Sequence, residues 1–134
     1  MKYLLDTNTC IDFLRHDKAV ISAFLDKKHE GVAISTIVLA ELEFGVWNSS
    51  SYEKNRAALM SFLSLVDLLS FDGFAAIAYG EIRVGLKRKN YSVAHLDMLI
   101  AAHAKSRGLT IVTNNLREFS RIDGLASENW TESI

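Results

Sequence analysis

The chain has 134 residues, 49% of them hydrophobic and 23% charged, with a net charge of −1. Such a length closes one core, and such a composition excludes a disordered chain or a polycation that binds nucleic acid by bulk charge alone. No apolar run approaches the roughly 20 residues of a membrane span, Cys10 alone excludes an internal disulfide or a cysteine–metal cluster, and an acid at position 6 comes too early for a signal peptide; a cytoplasmic protein is expected.

In chain order, a short strand over 2–5 runs into Asp6-Thr7-Asn8, and amphipathic patterns predict helices over 9–16 and 18–28. A strand over 32–35 precedes helices over 37–48 and 51–65, the second opened by a Ser50-x-x-Glu53 capping box. A strand over 66–69, helices over 73–89 and 96–107, a strand over 110–113, a short helix over 115–120 and a weak strand near Leu125 complete the series. Gly108 stands where a left-handed residue should end the 96–107 helix. There is no proline, no repeat and no linker, so one domain over 1–134 is expected. This βαβ alternation predicts an α/β fold in three layers, a mainly parallel sheet of four to five strands between helices.

Acids border the apolar segments. Asp6 ends the first strand, where open α/β sheets bind ligands, although Asp-Thr-Asn-Thr is also a good helix cap. Glu41 has Ile37, Val38, Phe44 and Gly45 as helical neighbours, an apolar face for a carboxylate. Glu43, among Leu39, Val46 and Trp47, is an equal candidate on periodicity. Asp97 opens a nearly uncharged helix, where helix-dipole stabilisation is the simpler explanation. Asn115 and Glu118 follow the fourth strand, as a helix cap and a surface acid or as further oxygen ligands. Carboxylates converging at one sheet edge would raise each other's pKa, and Mg²⁺ or Mn²⁺ would relieve that repulsion and activate water for phosphodiester hydrolysis.

Other templates are poorly served. The four histidines lack His-Glu-x-x-His spacing, and neither a phosphate-cradling glycine loop nor a Gly-x-Ser-x-Gly elbow is present. Basic residues gather at Arg83, Lys87, Arg88 and Lys89 and again at Lys105, Arg107, Arg117 and Arg121, which is either a solvated surface or a rim that guides phosphates.

The stretches Tyr3-Leu4-Leu5-Asp6-Thr7-Asn8, Ile34-Ser35-Thr36 through Phe44-Gly45, Asp97-Met98-Leu99-Ile100-Ala101-Ala102, Ile111-Val112-Thr113-Asn114-Asn115 and Arg117-Glu118-Phe119 together resemble the PIN domain, and closely the VapC-type toxins of toxin–antitoxin pairs. The resemblance spans essentially the whole chain. It implies a Mg²⁺- or Mn²⁺-dependent endoribonuclease with metal ligands at Asp6, Asp97 and Glu41, the last selected over Glu43. It also implies supporting roles for Thr7, Asn8 and Thr113 and a catalytic part for Asn115 or Glu118 at the fourth acidic position; the basic rim, read from charge alone, would supply RNA contacts at Arg83, Lys87, Arg88 and Arg117. A cognate antitoxin, a homodimer, promoter DNA bound through the antitoxin complex, and a transfer-RNA anticodon loop as substrate are further implications. Two departures stand out: Asn115 occupies a place where the family usually has Asp, and Ala94 one where it usually has Gly. A phosphotransfer or phosphatase-like domain and an inactive interaction module are the competing readings. The first wants Asp-x-Asp, which Asn8 breaks, and the second needs no acids on apolar faces.

Overall fold

The computed structural model describes residues 1–131. Its elements are β1 (Tyr3–Leu5), α1 (Thr7–Leu14), α2 (Lys18–Lys27), a 3₁₀ turn (Lys28–Glu30), β2 (Val32–Ser35), α3 (Thr36–Trp47), α4 (Tyr52–Leu63), β3 (Asp67–Leu69), α5 (Gly73–Arg88), α6 (His95–Ser106), β4 (Thr110–Val112), α7 (Leu116–Phe119) and β5 (Ser127–Glu128). The five strands form one sheet in the order β3-β2-β1-β4-β5, every pair parallel. Tyr3 pairs with Val32 on one side and Thr110 on the other.

The sequence explains which strands are central. Leu4, Leu5, Ala33, Ile34, Ile111 and Val112 are continuous apolar runs with no exposed surface, as strands covered on both faces must be. Asp67 of β3 and the Ser-Glu pair of β5 lie at the edges, where polar side chains reach solvent. Right-handed crossovers put the helices that link β1, β2 and β3 on one face and those leading to β4 and β5 on the other. The chain therefore leaves β1 and β4, which are neighbours, in opposite directions. A crevice opens at their carboxyl ends, and Asp6 and Thr113 emerge there.

Local signals are mostly realised. At the end of α6, Gly108 adopts φ +66°. Its N–H bonds to the Lys105 carbonyl at 3.2 Å and that of Leu109 to Ala104 at 2.9 Å, a complete Schellman closure. The Ser50–Glu53 capping box does not form. The cap of α4 is Ser51, without a side-chain bond, so Glu53 falls at the second helical position, where it complements the helix dipole instead. The weak strand lies at Ser127–Glu128, past Leu125, because Ile111 pairs with Ser127 and Val112 with Glu128. His103 is wholly buried, with Nδ1 2.8 Å from Ser35 Oγ, and burial holds its pKa below the usual imidazole value.

Candidate active site

Asp6 is 4% exposed and is the N-cap of α1, so the helix begins at Thr7 rather than at residue 9. Its Oδ1 accepts the Thr9 N–H at 2.8 Å, and its own N–H donates to the Val112 carbonyl at 3.0 Å. The cap and the crevice are one location: a single carboxylate closes the helix and faces the carboxyl end of β4. Burial raises its pKa, against the lowering effect of hydrogen bonds from Thr113 and Thr9.

Asp97 lies in the first turn of α6, half-buried. Its pKa is pushed up to about 6, first by burial and then by the negative charges of Glu118, Asp6 and Glu41. Charges from α7, the N-cap of α1 and α3 thus all reach the Asp97 carboxyl on α6. Glu118 has a second task. Its Oε1 accepts the Ala94 N–H at 3.0 Å, tying the start of α6 to the segment after β4, and its Oε2 accepts from the Asn115 amide. Asp97 is thus positioned by Glu118 through the backbone as well as by charge.

The two glutamates of α3 part company. Glu43 accepts both arms of the Arg56 fork at 2.8 Å, which holds its pKa below the ordinary range. Glu41 acts on Asp97 instead and borders a cleft of about 280 Å³ with Ile11, Leu14, Arg15, Leu42, Val46 and Leu59. Helical periodicity could not separate these neighbours; the docking of α4, which brings Arg56, does.

Thr113 is fully buried beside Asp6, and its Oγ1 accepts the Asn115 N–H at 3.0 Å. Thr7 is half-buried and Asn8 exposed, and neither side chain makes a hydrogen bond among the described residues. Thr9 does the bracing that sequence reasoning missed, through its amide to Asp6 and its hydroxyl to the Val112 carbonyl at 3.1 Å. The signal was present as the third residue after a helix-capping aspartate. Asn115 caps α7 without a side-chain cap bond and spends its amide on Glu118.

The basic residues divide. Arg117 shares a depression with Ala94, Asn115, Glu118 and Arg121, beside the acids. Arg83 and Lys87 line a neighbouring groove with His95 and Met98. Arg88 borders a different cleft, with Glu81, Lys89, Lys105 and Asp123.

Carboxylates, an amide oxygen and threonine hydroxyls make an all-oxygen donor set, which suits Mg²⁺ or Mn²⁺ and disfavours a soft thiophilic ion. The one thiol, Cys10, is buried, and burial pushes its pKa well above the usual range. Among the described residues no three acid, imidazole or thiol groups stand together in a way that could hold a metal ion. The donor types, all oxygen, are those a hard divalent cation takes.

Residues 3–125 match the model of the PIN domain family. A tRNA(fMet)-specific endonuclease VapC of Salmonella typhimurium is 43% identical over 130 residues, which is 97% of this chain and 98% of that protein. The protein so described from Shigella flexneri is 40% identical over 131 residues, 98% of this chain and 99% of that one. Among solved structures, VapBC2 from Rickettsia felis bound to a DNA fragment from its promoter superposes with a TM-score of 0.93 at 39% identity, covering 97% of this chain and 99% of that one.

Proposed function

The chain belongs to the PIN domain family, and we propose that it is a Mg²⁺- or Mn²⁺-dependent endoribonuclease, the toxin of a toxin–antitoxin pair. The observation that carries this reading is the Asp97 carboxyl, raised to about 6 among Glu118, Asp6 and Glu41 at the crevice between β1 and β4. Asp6 and Asp97 would hold the cation with Glu41. When bound, it would neutralise phosphodiester charge and supply a water activated as the nucleophile.

The chain's own residues do the positioning. The Thr9 amide and the Thr113 hydroxyl hold Asp6 at the end of β1. Glu118, itself oriented by Asn115, anchors Ala94 and so sets the height of Asp97 at the start of α6. In this reading Glu118 fills the fourth acidic position and Asn115 serves it. Arg117, beside Glu118, is placed to meet the phosphates that flank the scissile bond.

Relatives named as tRNA(fMet)-specific endonucleases support a transfer RNA as substrate, cut to stop translation in the cytosol. The complexes of similar chains support an antitoxin partner that carries the promoter-DNA contact. We assign the antitoxin's apolar tail to the cleft that ends at Glu41, with an antitoxin arginine entering the acid cluster. Phe44 and Trp47 of α3, both well over half exposed, are the apolar surface we assign to a second copy. The direct test is cleavage of bulk bacterial tRNA by purified protein with and without Mn²⁺, with Asp97→Asn as control. Metal-independent cutting, or a folded Asp97→Asn protein with wild-type activity, would reject the proposal.

A further inference from the structure

We propose that Tyr91 is a stacking platform for one unpaired RNA base, held in a groove beside the acids. This rests on the ribonuclease reading and deepens it: the site would take a single-stranded nucleotide next to the scissile phosphate, not a base pair.

The platform is built by the end of α5. Asn90 adopts φ +59°, a conformation asparagine tolerates, and its N–H reaches the Lys87 carbonyl at 3.1 Å. The next N–H, that of Tyr91, bonds to Leu86 at 3.0 Å, so the backbone of Tyr91 is fixed by a Schellman closure and does not swing with a loose loop. The residue nevertheless stays 46% exposed. The Arg121 guanidinium lies 5.1 Å from its centroid and is held there by a 3.1 Å bond to the Ser92 carbonyl.

Tyr91 lines the groove of about 440 Å³, a size within the roughly 300–1,000 Å³ of small-ligand pockets, whereas Arg121 borders only the clefts next to it. The guanidinium therefore backs the ring from outside the groove. Leu86 and Met98, both buried, supply an apolar floor. Arg83 and Lys87 supply positive charge, and among the described residues no carboxylate lines the groove.

His95 completes the rim. The Tyr79 hydroxyl oxygen accepts from Arg83 at 3.2 Å and is hydrogen-bonded to His95 Nδ1 at 3.1 Å, so the three side chains form one chain along the rim. With Nδ1 engaged by Tyr79, Nε2 is the ring nitrogen left to meet a base edge or phosphate. His95 opens the helix that carries Asp97, and Ala94 before it is bonded to Glu118. A phosphate at the acids would thus leave its adjoining base at this groove. Cations alone would suit any anion. A fixed, half-exposed aromatic over an apolar floor between cations suits a base with its phosphates.

The test uses the full-length Asp97→Asn protein, which should hold RNA uncut, and compares bulk bacterial tRNA with a fully paired RNA duplex. Tyr91→Ala should weaken tRNA binding by ~10-fold, the scale of one lost base–aromatic stack, with duplex binding and melting temperature unchanged. Tyr91→Phe should keep wild-type affinity, because the ring face remains. In the active protein, Tyr91→Ala should raise KM with kcat nearly constant. Unchanged tRNA affinity, or equal losses on tRNA and duplex, overturns the inference while leaving the ribonuclease reading intact. Wild-type protein that neither binds nor cuts tRNA overturns both.

Discussion

Replacing Asp97 by Asn should stabilise the metal-free protein at neutral pH while removing its activity. The carboxyl titrates near 6 in the folded chain against an ordinary value of 3.8. A shift of about two units corresponds to ~3 kcal/mol of penalty on the charged form. Asp97 is only half-buried, so solvent screening reduces this to roughly 1.5 kcal/mol. Its favourable place in the first turn of α6 offsets a further ~0.5 kcal/mol. About 1 kcal/mol of net gain remains, or ~3 °C in melting temperature for a domain of this size. The sign with pH follows from proton counting. Between about 4 and 6 the folded state binds more protons than the unfolded one, so wild-type stability falls as pH rises through that window and is level above it. The Asp97→Asn gain should therefore be full at pH 7.5, shrink as pH drops through 6, and vanish near 4. Melts in chelator across this range provide the assay. A variant that is less stable than wild type at pH 7.5, or a gain that ignores pH, would refute the crowding of acids on which the site rests.

Saturating Mn²⁺ should reverse the order of the two proteins, since binding at 100 times Kd stabilises wild type by ~2.7 kcal/mol, and calorimetry with Asp6→Asn or Asp97→Asn should show that gain reduced. Glu41→Gln should cost ~100-fold or more in kcat, whereas Glu43→Gln, which loosens only the Arg56 fork, should leave cleavage near wild type in a single-turnover assay. The proposed mechanism makes water rather than a ribose hydroxyl the nucleophile, so products should carry 5′-phosphate and 3′-hydroxyl ends; 2′,3′-cyclic phosphates on end-group analysis would contradict it. Expression of this chain in a bacterium should arrest growth and co-expression of its antitoxin should restore it, and sequencing of RNA ends after brief induction should show one dominant cut in one tRNA class. Cuts scattered through messenger RNA would remove the tRNA assignment.

The fold was legible because its signals are local. Apolar runs of strand length that alternate with helical patterns leave few arrangements other than a parallel sheet, and all five strands and seven helices described lie within a few residues of their expected places. The positions of Asp6 and Asp97 at element boundaries were legible for the same reason, though periodicity left each as readily a helix cap or dipole partner as a ligand. Where local chemistry allowed two outcomes, tertiary contacts chose. Ser50 and Glu53 have the spacing of a capping box, yet α4 begins one residue too late to use it. Glu41 and Glu43 are equivalent along α3 until Arg56 of α4 takes one of them, because a bidentate ion pair depends on how two helices dock and not on either sequence. Asn115 and Glu118 were alternatives as strings, and in space they are partners, with Glu118 reaching Ala94 at the start of α6. Thr9 carried only the weak signal of its place after a capping aspartate, and Tyr91 carried none. Their importance comes from what stands beside them: Val112 on a strand more than a hundred residues away and Arg121 beyond α7. Side-chain type and spacing determine which elements form and which acids border them. Charge and hydrogen-bond partners at long sequence separation depend on the packed geometry, so only the folded chain decides them.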